Sequence, residues 1–189
     1  MNKFFYILLI LFGVVQAEQN QIYIEQIGIN NQFIINQDGI GHSVIINAGL
    51  ASSLDSSTVS ISQQGLGIKS ASVELPSGYN NTVNISQDGL GAQTALIQNF
   101  SGSANNISIL QSGSSNNTFS LIGSGTNNAN TISVVQNGLV GADKSFTLNM
   151  TSTNGATVNI SQTNSTAANS GSMTISCLVG CGTYSYSRP

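Results

Sequence analysis

Between Asn105 and Gln111, Asn105, Ile107, Ile109 and Gln111 stand at every second position, and Gly113 follows at the next step of the same alternation. The same order returns along the chain as Asn31, Phe33, Ile35, Gln37, Gly39, then Ser57, Val59, Ile61, Gln63, Gly65, and then Asn81, Val83, Ile85, Gln87, Gly89. It returns again as Asn130, Ile132, Val134, Gln136, Gly138, and finally as Ala156, Val158, Ile160, Gln162. Alternation with period two and β-branched apolar residues predicts strands, with the named residues all on one face. The glutamines from Gln37 to Gln162 recur at a nearly constant step of roughly 25 residues, and a fixed spacing of this size predicts stacked repeats.

Weaker strands fall between the strong copies. Asn20, Ile22, Ile24, Gln26 and Gly28 form a full copy directly ahead of the one that begins at Asn31, so one period holds two strands. The later partners are Val44, Ile46, Ala48; Ala71, Val73, Leu75; Leu96 with Gln98, or Ala95 with Ile97; Phe119, Leu121, Gly123; Phe146, Leu148, Met150; and Met173, Ile175, Cys177. Folding each pair as an arch predicts an all-β, two-sheet parallel β-solenoid of thirteen strands. It would have about six coils of about 24 residues, with rungs about 4.8 Å apart and sheets about 10 Å apart. The inward glutamines are then the central problem, because an unpaired buried amide costs roughly 1 to 3 kcal/mol. Stacked at one register they solve it themselves, each amide bonding the copies above and below. The glycine that follows each glutamine marks a corner, and the Asn-Asn pairs at strand entries are turn residues able to form a second amide ladder.

Composition adds a surface. Only 6% of residues are charged, against about 25% in an average domain. Residues 1–17 read as a secretory signal peptide: Lys3, an apolar run from Phe4 to Val15, and the small-residue pattern Val15-Gln16-Ala17. Without Lys3 three cations face seven acids, a net charge of −4, which argues against nucleic acid or an anionic membrane as partner. No other stretch is long and apolar enough to span a bilayer. The mature chain is expected outside the cell, with the repeats as one domain over 18–177 and a non-repeat tail over 178–189. Longer linkers at 49–56 and 138–144 hold Asp55, Asp143 and Lys144, as bulged surface loops would.

Candidate chemistry is sparse. There is one histidine, His42, expected at a surface corner, and no Ser/His/Asp set or paired carboxylate. The expectation is that the protein is not an enzyme and takes no cofactor or metal. In an exported chain Cys177 and Cys181 point to a local disulfide, with an interchain bridge or free thiols as alternatives. One outward feature supports a different function. Thr58, Ser60, Ser62, Thr82, Asn84, Ser86, Thr157, Asn159 and Ser161 form a flat uncharged array, interrupted by Ile34, Leu110 and Val135, similar to the faces of monomeric ice-binding solenoids.

The unit Gln26-x-Gly28-x-x-Asn31-x-Phe33-x-Ile35-x-Gln37 resembles the curlin repeat of curli fibre subunits of Gram-negative bacteria. The resemblance covers nearly all of the chain after residue 17. It implies passage through an outer-membrane secretion pore and polymerisation into extracellular functional amyloid for adhesion and biofilm matrix, alone or with other curli-like subunits. By this resemblance the ladder glutamines are Gln26, Gln37, Gln63, Gln87, Gln111, Gln136 and Gln162, and the strand-entry asparagines Asn31, Asn81, Asn105 and Asn130 are the candidates for the second ladder. The corner glycines are Gly28, Gly39, Gly65, Gly89, Gly113 and Gly138. The facing strands carry Ala48, Gly123 and Cys177 where glutamine would recur, and imperfect repeats with a distinct C-terminus also suit a minor, nucleating subunit.

Overall fold

The computed structural model describes residues 20–25, 32–46, 58–74, 81–98, 105–124, 129–163 and 166–189. Seven strands form one parallel sheet in the order β1 (Gln21–Ile24), β3 (Ser43–Ile46), β5 (Lys69–Val73), β7 (Gln93–Leu96), β9 (Asn117–Ser124), β11 (Lys144–Thr153) and β13 (Asn169–Cys177). The other seven form the second parallel sheet, β2 (Gln32–Gly39), β4 (Thr58–Gly65), β6 (Thr82–Gln87), β8 (Asn106–Gly113), β10 (Thr131–Gly138), β12 (Thr157–Gln162) and β14 (Thr183–Arg188). The chain alternates between sheets at every step, so the molecule is a two-sheet parallel β-solenoid.

Register follows the glutamines. Val59 pairs with Val83, Ile61 with Ile85 and Gln63 with Gln87. The match continues through Gln87 with Gln111, Gln111 with Gln136 and Gln136 with Gln162. Slipping any strand by one residue would turn its apolar side chains to solvent, so the alternation itself holds the register. The core lies between the sheets. Val59, Ile61, Val83, Ile85, Ile107, Ile109, Ile132, Val134, Val158 and Ile160 face Val44, Ile46, Ala71, Val73, Ala95, Ile97, Phe119, Leu121, Phe146, Leu148 and Met150, all buried. The two choices for the β7 face are resolved: Ala95 and Ile97 point inward, while Leu96 is only half-buried on the other side.

Two expectations are corrected. The solenoid does not stop at Cys177, because the expected tail contributes β14, a fourteenth strand that pairs in register with β12. Thr183-Tyr184-Ser185-Tyr186-Ser187-Arg188 alternates like every other copy, and Arg188 follows Gln162 at the same interval that separates Gln162 from Gln136. The cue was masked because aromatic residues and an arginine replace Val, Ile and Gln. Secondly, Lys144 is not in a surface loop; it opens β11 fully buried, as Lys69 opens β5.

Candidate functional site: two polar columns inside the solenoid

Six glutamines stack into one line. Nε2 of Gln37 donates to Oε1 of Gln63 at 2.7 Å. Gln63 donates likewise to Gln87, Gln87 to Gln111, Gln111 to Gln136 and Gln136 to Gln162, each at 2.8 Å. The line has a direction, because each amide from Gln63 to Gln136 donates toward the C-terminal rung and accepts from the N-terminal one. The same Nε2 also reaches across the core to a main-chain oxygen of the facing sheet: Ser43 from Gln63, Ser70 from Gln87, Thr94 from Gln111, Thr118 from Gln136 and Ser145 from Gln162, at 2.9–3.2 Å. Gln63, Gln87, Gln111 and Gln136 therefore each tie their rung to the next and one sheet to the other. Burial among apolar side chains strengthens such bonds and makes any gap in them costly.

A shorter asparagine line runs at the opposite corner. Asn105 donates from Nδ2 to Oδ1 of Asn81 at 3.1 Å, and Asn130 donates from its backbone N–H to Oδ1 of Asn105 at 3.3 Å. Asn130 then passes the line on, from Nδ2 to Thr153 Oγ1 and by accepting from the Ala156 amide. It ends there, since alanine opens the last strict copy. Gln26, Gly28 and Asn31 lie outside the described residues.

At the corners, φ is positive at Gly39, Gly65, Gly89 and Gly113. A Cβ on Gly65 would also collide with the carbonyl oxygen of Gly89 in the next rung, so both conformation and stacking call for glycine. Gly138 departs from the expected pattern. Its turn is longer, and the positive φ falls on Gly141 instead.

A second inward column went unrecognised in the sequence. His42, Lys69, Gln93, Asn117 and Lys144 are all buried, and paired registers place Lys69 beside Gln93, Gln93 beside Asn117, and Asn117 beside Lys144. Each precedes the first inward apolar residue of its strand by two, which was the available cue. These side chains collect the corner carbonyls. Lys69 Nζ donates to the oxygens of Gly67, Gly89 and Gly91 at 2.9–3.0 Å, and Gln93 Nε2 donates to Asp88 O at 2.6 Å. Asn117 Nδ2 donates to Ser112 O, and Lys144 Nζ to Ala142 O and Ala167 O. His42, expected on the surface, is buried with Nε2 3.2 Å from Asp38 O. Burial lowers its pKa below the ordinary imidazole value, and the Lys69 charge adds to that, against the ring's hydrogen bonds to the backbone of Asp38 and Gly65 and the Asp38 charge. Burial likewise lowers both lysines, opposed by Asp88 at Lys69 and by Asp143 at Lys144.

Cys177 and Cys181 are joined by a disulfide that closes the turn between β13 and β14. The outward array is present as a solvent face on β4, β6 and β12, with Ile34 and Leu110 exposed on β2 and β8. Among the described residues no three His, Cys, Asp or Glu side chains gather as a metal site, and no helix is long and apolar enough to cross a membrane. No family model, curated protein or solved structure matches the chain.

Proposed function

We propose that this protein is an exported structural subunit that assembles into extracellular, curli-like fibres. The observation that carries the reading is the directional glutamine line, with in-register parallel coils on either side of it. Parallel coils stacked in register form a pattern that another coil can extend by pairing its backbone with the last strand and presenting matching side chains at the same heights. Each apolar side chain newly buried at a joint contributes about 1.5 to 3 kcal/mol. The low charge and the resemblance to curlin repeats support the same reading. Adhesion and matrix formation follow from fibre mass rather than from a pocket.

Purified chain incubated under mild agitation should bind an amyloid dye and give a meridional reflection at about 4.7 Å. A chain that remains monomeric and instead produces freezing-point hysteresis through its threonine- and serine-rich face would replace this reading with an ice-binding one.

A further inference from the structure

The two ends of the glutamine line are chemically different. At the N-terminal end Gln37 donates onward, and among the described residues no donor reaches its Oε1. At the C-terminal end the register position after Gln162 is Arg188. A guanidinium has donors and no acceptor, so the line of amides cannot continue into it. Arg188 is exposed, its Cζ 6.0 Å from the Tyr186 ring centroid, and its guanidinium makes no hydrogen bond among the described residues.

We propose that a second copy of this chain docks head to tail on this end, β2 of the incoming copy pairing with β14, so that Arg188 donates to the open Oε1 of Gln37. This rests on the fibre reading above and specifies its joint. Three further observations agree. Charge is complementary: Lys69 and Lys144 are buried, so Arg188 is the one exposed cationic side chain among the described residues, whereas the N-terminal coil carries Glu25 and Asp38. Continuing the registers places Tyr184 and Tyr186 under Phe33 and Ile35 of the incoming copy, and all four are only partly buried in the single chain. In the other sheet Asn169 has a buried Nδ2 without a partner, and the next position in its column is Asn20 of the incoming copy.

The joint sets a register that cysteines can read. Ser187 and Asn36 are both exposed and would stand opposite one another, so fibres grown from mixed S187C and N36C chains should cross-link on oxidation. Mixed S187C and I34C chains, out of register by one full alternation, should cross-link far less. Fibres that form without the S187C–N36C bond, or with equal yield from both mixtures, overturn the joint and leave the fibre reading standing; absence of any assembly overturns both. Arg188→Glu, which sets acceptor against acceptor, should slow elongation by at least about tenfold, while Arg188→Gln, which supplies both donor and acceptor, should stay within about twofold. An R188Q chain that assembles about tenfold faster would identify Arg188 as a stop on growth and overturn the proposal.

Discussion

Tyr186 fills the space that a side chain on Gly171 would occupy: a Cβ there would lie 2.7 Å from the Tyr186 ring and 2.9 Å from Phe146 Cδ2. The two residues sit on opposite sheets. Gly171 follows Phe146 in register, and Tyr186 follows Ile160. The ring crosses the core, meets Phe146 at a centroid distance of 4.8 Å, and donates its hydroxyl to Ser170 O at 3.2 Å. A large residue on one sheet is thus accommodated by glycine on the other, and together they floor the last coil.

Gly171→Ala should therefore destabilise the C-terminal coil by about 1 to 3 kcal/mol through overpacking. Denaturant midpoints measure it. Combining Gly171→Ala with Tyr186→Leu should recover part of the loss; equal or additive losses would show that the two side chains do not share this space.

Gln87→Leu and Gln111→Leu each interrupt the axial line and leave the oxygen of Ser70 or Thr94 without its cross-sheet donor. Each should cost about 1 to 3 kcal/mol, whereas Asn84→Ala and Ser108→Ala, whose side chains face solvent, should stay within about 0.5 kcal/mol. Urea titration of the four variants separates the cases, and equal effects would remove the amide line from any account of stability.

Lys69→Met keeps the length of the side chain and removes the donor from three corner carbonyls. A loss of about 1 to 3 kcal/mol is expected in thermal or denaturant unfolding. Lys69→Gln should cost less, because Gln93 already performs this task one rung away with an amide.

His42 gives the fold an acid limit. Its pKa in the folded chain lies below the ordinary value of 6.5 because burial and Lys69 disfavour the charged form. Folding therefore favours neutral His42: the contribution is fully present above about pH 6.5 and is lost as pH falls through the lower folded value. The midpoint difference between wild type and His42→Gln should shift against wild type as pH is lowered from 7.5 to 5. A difference that does not change with pH would show that His42 titrates alike in both states.

The disulfide ties β14 to β13 through a short loop, so its effect is local. Cys177→Ser with Cys181→Ser should raise amide exchange in β14 and leave β6 and β8 unchanged, measured by hydrogen exchange. Equal acceleration throughout would mean that the coils unfold as one unit.

Much of this molecule is written locally. Period-two alternation in 105–111 and its copies determined strands, and the spacing of Gln37, Gln63, Gln87, Gln111, Gln136 and Gln162 determined that they stack in register, because a one-residue slip exposes the apolar set. The tertiary structure alone decided what depends on neighbours in the adjacent rung or the facing sheet. It turned Ala95 inward rather than Leu96, buried His42, Lys69 and Lys144 among carbonyls of other coils, and drew 183–188 into the second sheet. A lysine reads as surface in sequence because its charge is costly to bury. Only the convergence of oxygens from Gly67, Gly89 and Gly91, the last two supplied by the next coil, provides the bonds that make an interior place for it.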